Sequence, residues 1–249
     1  MSASALTPDS FRQIPDVLAA LRTPRSPRSV LNYLCGCDTA DPENRKGLST
    51  DERVGPLLSL WFASGKALDE VCQPFAAVVR ELKSFPPTLI GEDWDSLEGK
   101  VAKVFLADQL SRSCFRGTAE AFSYDPIARE LVRELVGPDW IEETLRLPGA
   151  ILYLLPWALA HSEDVTDLQS AVDFIDLAIN ANPDFKLLEV RNKPAVDQHR
   201  QVLLKFGRYP QRNAEFGRES TAAEKAWLED KDNLPIWAGG KLSFNQPIR

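Results

Sequence analysis

Both histidines of this 249-residue chain, His161 and His199, fall inside short polar stretches, and a third such stretch carries no histidine. One runs Ala107-Asp-Gln-Leu-Ser-Arg-Ser-Cys-Phe-Arg-Gly-Thr118, one is His161-Ser-Glu-Asp164, and one extends from His199 through Arg218. Imidazole is the side chain whose ordinary pKa suits proton transfer near neutrality, so His161 and His199 are the candidate acid–base groups. Asp108 or Glu163 is available to orient one ring and fix its tautomer. Arg112, Arg116, Arg208, Arg212 and Arg218 offer planar forks that match a phosphate or carboxylate. Gln109, Glu163 and Asn213 complete the candidate ligand-binding set. The chemistry implied is non-redox acid–base work on a small anion.

The same residues have a plainer reading. The five arginines can pair with Asp108, Glu163, Asp164 and Glu215 and tie helix ends together, as structural ion-pair networks do. A metal site is weaker still. His161 and Asp164 share a helix face, but His161 and Glu163 point about 200° apart on an ideal helix, so His-x-Glu is no ready chelate. No metal is assigned. No glycine-rich phosphate loop, dinucleotide fingerprint or nucleophile elbow occurs, so no cofactor is assigned either.

Helices must position these groups. Asp108, Arg112 and Arg116 lie four apart and stack on one face if the segment stays helical to Gly117. Asp125 reads as an N-cap before Pro126, followed by a face of Ile127, Leu131, Val132 and Leu135. Pro148 opens a segment apolar on nearly every side, hence central, that ends at His161. Val165 to Ile179 is amphipathic. Pro194 to Phe206 is another helix that stops at Gly207. Thr221-Ala-Ala-Glu224 has capping-box spacing and opens a helix through Trp227 and Leu228. Leu57 to Leu82 reads as two helices broken at Ser64-Gly65. Ser84 to Gly99 reads as a long loop anchored by Trp94. Period-two strands are absent, so the expectation is an all-α fold, one domain of about eight to ten helices.

The charge balance narrows the partners. Lys and Arg number 29 against 36 Asp and Glu, a net of −7, with 44% apolar and 26% charged residues. An acidic globular chain is a poor phosphate-backbone binder, so nucleic acid is excluded as a general partner. The apolar run 147–160 is too short and too proline-broken to span a bilayer, so no membrane partner is expected. Cys35, Cys37, Cys72 and Cys114 are too irregular for a disulfide framework, which fits a reducing, cytoplasmic setting. Residues 1–29 differ: Arg12, Arg22, Arg25 and Arg28 face only Asp9 and Asp16, leaving −9 for the remainder. That stretch reads as a flexible leader or an organelle-targeting segment. Residues 30–230 form the helical domain, and 231–249 a C-terminal tail that packs on it or extends from it.

Three ordered motifs carry a resemblance. His199 through Leu228, with Phe206-Gly-Arg-Tyr-Pro, Arg212-Asn, Gly217-Arg-Glu-Ser-Thr and Glu224, is the strongest. Asp108-Gln, Arg112, Arg116-Gly-Thr, Phe122 and Asp125 form the second, and His161-Ser-Glu-Asp the third. Trp61-Phe62, Asp69 and Phe75 precede them. Over roughly Val30 to Leu228 the chain resembles the domain of unknown function 924 family. It departs from that pattern at Leu110-Ser111, where the family usually has Phe-Pro, and at Ser113, where it usually has Asn. The resemblance implies a tetratricopeptide-repeat-like stack of helix pairs and supplies no reaction. Two functions follow: an Arg/His/Asp pocket for a small anionic molecule, or a helical scaffold binding a peptide or protein partner.

Overall fold

A computed structural model describes residues 6–243. The chain is all-α, 67% helical, with no strand among the described residues beyond an isolated bridge between Pro235 and Leu242. Helical segments outnumber the eight to ten expected, because prolines and π-turns divide what the apolar periodicity reads as continuous helices.

The two helices read between Leu57 and Leu82 are Asp51–Ala63, then Lys66–Cys72 and Ala76–Glu81 with a 3-10 turn between them. Gly65 makes the break with φ 51°, a conformation that only glycine adopts cheaply. The loop expected over Ser84 to Gly99 holds a short helix, Glu92–Asp95, and Gly99 lies inside the next one, Leu97–Phe105. A Cβ on Gly99 would collide with the Asp93 and Trp94 backbone. That glycine marks a close backbone approach, not a turn.

Residues 6–29, expected to be a flexible leader, are ordered against the core. Pro15–Arg22 packs on Pro27–Cys35, which packs on Leu97–Phe105. Phe11 and Val17 are fully buried, and burying such side chains is worth about 2 kcal/mol each. Residues 1–5 of that leader lie outside the described residues.

The central segment is Gly149–Leu154 followed by Trp157–Ala160, buried along its whole length and interrupted at Pro156. It is flanked by Asp125–Leu135 and by the 17-residue helix Val165–Ala181, which packs on Lys193–Phe206. The capping box at Thr221 and Glu224 is formed in full and opens Ala222–Glu229. Described residues of the tail pack on the domain: Leu234 is fully buried and Trp237 reaches His199. No helix among the described residues is long and apolar enough to cross a membrane.

Candidate functional site

The helix Leu97–Phe105 continues through a π-turn, Leu106–Leu110, into Ser111–Cys114. The wide turn places Asp108 and Gln109 side by side at its centre, both buried, with Gln109 Nε2 donating to Asp108 Oδ2 at 2.6 Å. Single π-turns inserted in α-helices recur at functional sites. Arg112, one turn on, reaches back to Asp108 Oδ1 at 2.9 Å and forward to Asp125 at 3.0 Å. The helix then ends, and Gly117 adopts φ 79°. Arg116 therefore leaves the face it was expected to share and forms a two-pronged pair with Asp69, its NH2 donating at 2.9 Å.

His161 caps the central helix and presents Nδ1 to Asp108 Oδ1 at 2.7 Å. A carboxylate only accepts, so Nδ1 donates and Nε2 keeps the lone pair. His199, from Lys193–Phe206, donates Nδ1–H to the Ala195 carbonyl at 2.8 Å, which fixes the same tautomer. The rings stand 6.2 Å apart, and neither Nε2 has a hydrogen-bond partner among the described residues. Trp157 touches both rings, and Trp237 stacks on His199 at 3.8 Å.

These groups line a cleft of about 350 Å³, walled by Trp61, Phe62, Phe122 and Trp237. Among the sequence candidates, Gln109, Arg112, Arg116, His161, His199 and Arg212 line it, with Asp108 directly behind. Glu163 and Arg218 do not. They pair with each other at 2.6 Å, Glu163 also accepts from Tyr209 N–H, and both line an adjoining depression that shares His161, Arg212 and Phe122. So Asp108, not Glu163, orients an imidazole. Arg208 and Asn213 line neither space: both bond Glu224 of the capping box. Their bonds fold the 207–224 segment on itself.

The electrostatics follow from burial. Burial raises the Asp108 pKa, but Arg112 and His161 outweigh it and hold the carboxylate below its ordinary range. Burial lowers the pKa of His161, Arg112 lowers it further, and Asp108 only partly restores it. Burial drives His199 down to about 3. Both rings are neutral near pH 7. Arg212 is 8% exposed, donates to the His161 carbonyl at 2.8 Å, and has its carboxylate contact, Asp125, only at 3.7 Å. Burial and then Arg112 pull its pKa down.

Sequence reasoning missed several members. Asp125 is not the N-cap: the helix starts at Asp125 with Tyr124 before it, and the carboxylate turns to Arg112 and Arg212 instead of to the backbone. Burial raises its pKa despite those arginines. Trp157, Gln211, Glu215 and Trp237 also join the site. Asp69, Trp61, Phe62, Phe122 and Asp125 had a signal, since the family resemblance includes them. Trp237 had none. Arg116 and Arg112 pair with Asp69 and Asp125, carboxylates outside the set expected to answer the five arginines. Among the described residues no group of three or more His, Cys, Asp or Glu is placed to hold a metal ion.

The motif residues that build this cleft lie within residues 52–232, which match the model of a family described as bacterial protein of unknown function (DUF924). The chain belongs to the DUF924 family. A solved protein of unknown function from Agrobacterium tumefaciens is similar to it at 27% identity and a TM-score of 0.53. That likeness covers 68% of this chain and 88% of the other. No curated protein matches the chain. Membership of DUF924 brings no activity with it, so function has to be argued from the cleft.

Proposed function

We propose that the cleft binds a small carboxylate- or phosphate-bearing molecule and performs acid–base chemistry on it, with His161 as general base. The observation that carries the anion is Arg212: a buried guanidinium at the cleft wall whose nearest carboxylate stands off at 3.7 Å. An anion placed there gains charge-assisted hydrogen bonds in a poorly hydrated site.

The base is argued from the Asp108–His161 pair. His161 Nε2 takes a proton from water or from the ligand, and the ring becomes an imidazolium held against Asp108 at 2.7 Å. Arg112 keeps Asp108 ionised and fixed for that moment. A positioned base contributes roughly 10²–10⁴-fold to rate. Among the described residues no Ser or Cys side chain hydrogen-bonds either imidazole, so the pair acts on water or on the ligand directly, not on a protein nucleophile.

A thermal-shift screen of small carboxylates and phosphates, run on wild type and on Arg212→Met, tests the reading. A ligand that stabilises wild type and is lost in the variant supports it. Ligands that stabilise both proteins equally overturn the assignment of Arg212.

A further inference from the structure

The groove of about 910 Å³ lined by Leu82, Leu89, Ile127 and Leu131 is larger than the cleft, but it holds no histidine. Its acids Glu81, Glu130 and Glu134 are each paired with a basic residue. Cys72 and Cys114 are buried or half-buried thiols whose pKa burial raises. Neither feature points to a ligand. The side of the cleft formed by Gln211 and Glu215 does.

Each arginine of the cleft has an acidic partner: Arg112 has Asp108 and Asp125, Arg116 has Asp69, and Arg212 has Asp125. Glu215 lines the same cleft and pairs with no basic side chain among the described residues. Its Oε2 is buried without a hydrogen-bond partner, and so is Oε1 of neighbouring Gln211. Leaving such atoms unmatched costs stability that a ligand donor would restore. Glu215 is thus the carboxylate lining this cleft that no guanidinium answers among the described residues.

We infer that the ligand carries a protonated primary amine beside its anionic group, and that Glu215 and Gln211 receive it. This rests on the reading of Arg212 as the anion's partner and adds the ligand's other end. An ammonium brings three N–H donors. Glu215 Oε2, Gln211 Oε1 and Nε2 of His199 are three acceptors, unmatched among the described residues, on side chains that line one cleft. Trp61 and Trp237 add aromatic surface to the cleft, which suits a cation, whereas the Phe122 ring already carries Arg112 and Arg212. The ligand class is therefore an amino acid or a similarly compact zwitterion, with Arg212 and Glu215 dividing its two charges.

Calorimetric titration with the proteinogenic amino acids, each beside its des-amino acid and its decarboxylated amine, reads the two ends separately. At least one amino acid is expected to bind, with a loss of roughly tenfold or more when its amine is removed. Glu215→Gln, folded as judged by an unchanged unfolding midpoint, is expected to erase that loss while retaining the affinity for the des-amino acid. A des-amino acid that binds wild type as well as its amino acid overturns the inference, as does a panel with no binder. Amines that bind through Glu215 with no gain from a carboxylate, and with no effect of Arg212→Met, overturn the zwitterion together with the anion reading, whereas a des-amino acid whose binding is lost in Arg212→Met spares the anion reading alone.

Discussion

Nδ1 of His161 lies 2.7 Å from Oδ1 of Asp108, joining two helical segments across 53 residues of sequence. Asp108 is 1% exposed and also holds Arg112. One buried carboxylate thus sets the tautomer of His161 and the position of a guanidinium.

Asp108→Asn keeps the shape and removes the charge. Breaking one partner of a buried ion pair costs about 3–5 kcal/mol, and the retained Arg112–Asp125 contact puts the expectation at the lower end. Urea unfolding at pH 7.5 checks it, and a loss under about 1 kcal/mol would show that Asp125 alone satisfies Arg112.

Acid sensitivity should begin above the carboxylate range. His199 has a folded pKa of about 3 against an ordinary 6.5, so its contribution is complete above pH 6.5 and is lost as pH falls. Between those values the unfolded chain binds one proton more than the native one, a slope of about 1.4 kcal/mol per pH unit. His161 is shifted in the same direction and adds to it. Unfolding free energies from pH 7.5 to 5 are expected to fall, and His199→Phe to fall less steeply. Parallel slopes would refute the assignment to His199.

Trp237→Ala uncovers His199 by removing the ring stacked at 3.8 Å. Solvent entering there relieves the desolvation that depresses the imidazole. The His199 pKa, followed by NMR, is expected to rise toward its ordinary value, whereas an unchanged titration would mean Trp157 and Tyr209 suffice to keep water out.

Gly149→Ala tests the mounting of the central segment. A Cβ at Gly149 would lie 2.6 Å from the Phe185 ring, and overpacking of this kind costs about 1–3 kcal/mol. A lowered melting temperature is expected, and an unchanged one would show that Phe185 moves aside freely.

Thr221→Ala separates architecture from chemistry. It removes the hydroxyl that accepts from Glu224 N–H and should cost about 1 kcal/mol. Arg208→Met likewise breaks the pair with Glu224 and the bond to the Glu219 carbonyl, both outside the cleft. Neither variant should change ligand affinity in the cleft, and a loss of affinity in either would tie the capping box to the site.

Much of this molecule is legible along the chain. Val165–Ala181, the stop at Gly207 and the Thr221 capping box follow from local periodicity and capping chemistry, which act within a few residues. The burial of 149–160 follows from a segment with no polar face. Glycine misled where its cause was tertiary: Gly99 reads as the end of a loop, yet it lies within a helix and is required by the backbone of Asp93 and Trp94.

An all-helical chain of DUF924 type and its set of polar motifs are legible from local pattern. How those motifs divide between site and scaffold comes from the packing. It placed Asp108 on His161 and left Arg212 weakly paired. It spent Arg208 and Arg218 on Glu224 and Glu163. It also drew Asp125, Glu215 and Trp237 into the cleft. The reason is physical: helix and cap signals are short-range, whereas pairing one charge rather than another depends on which distant side chains burial brings within about 4 Å.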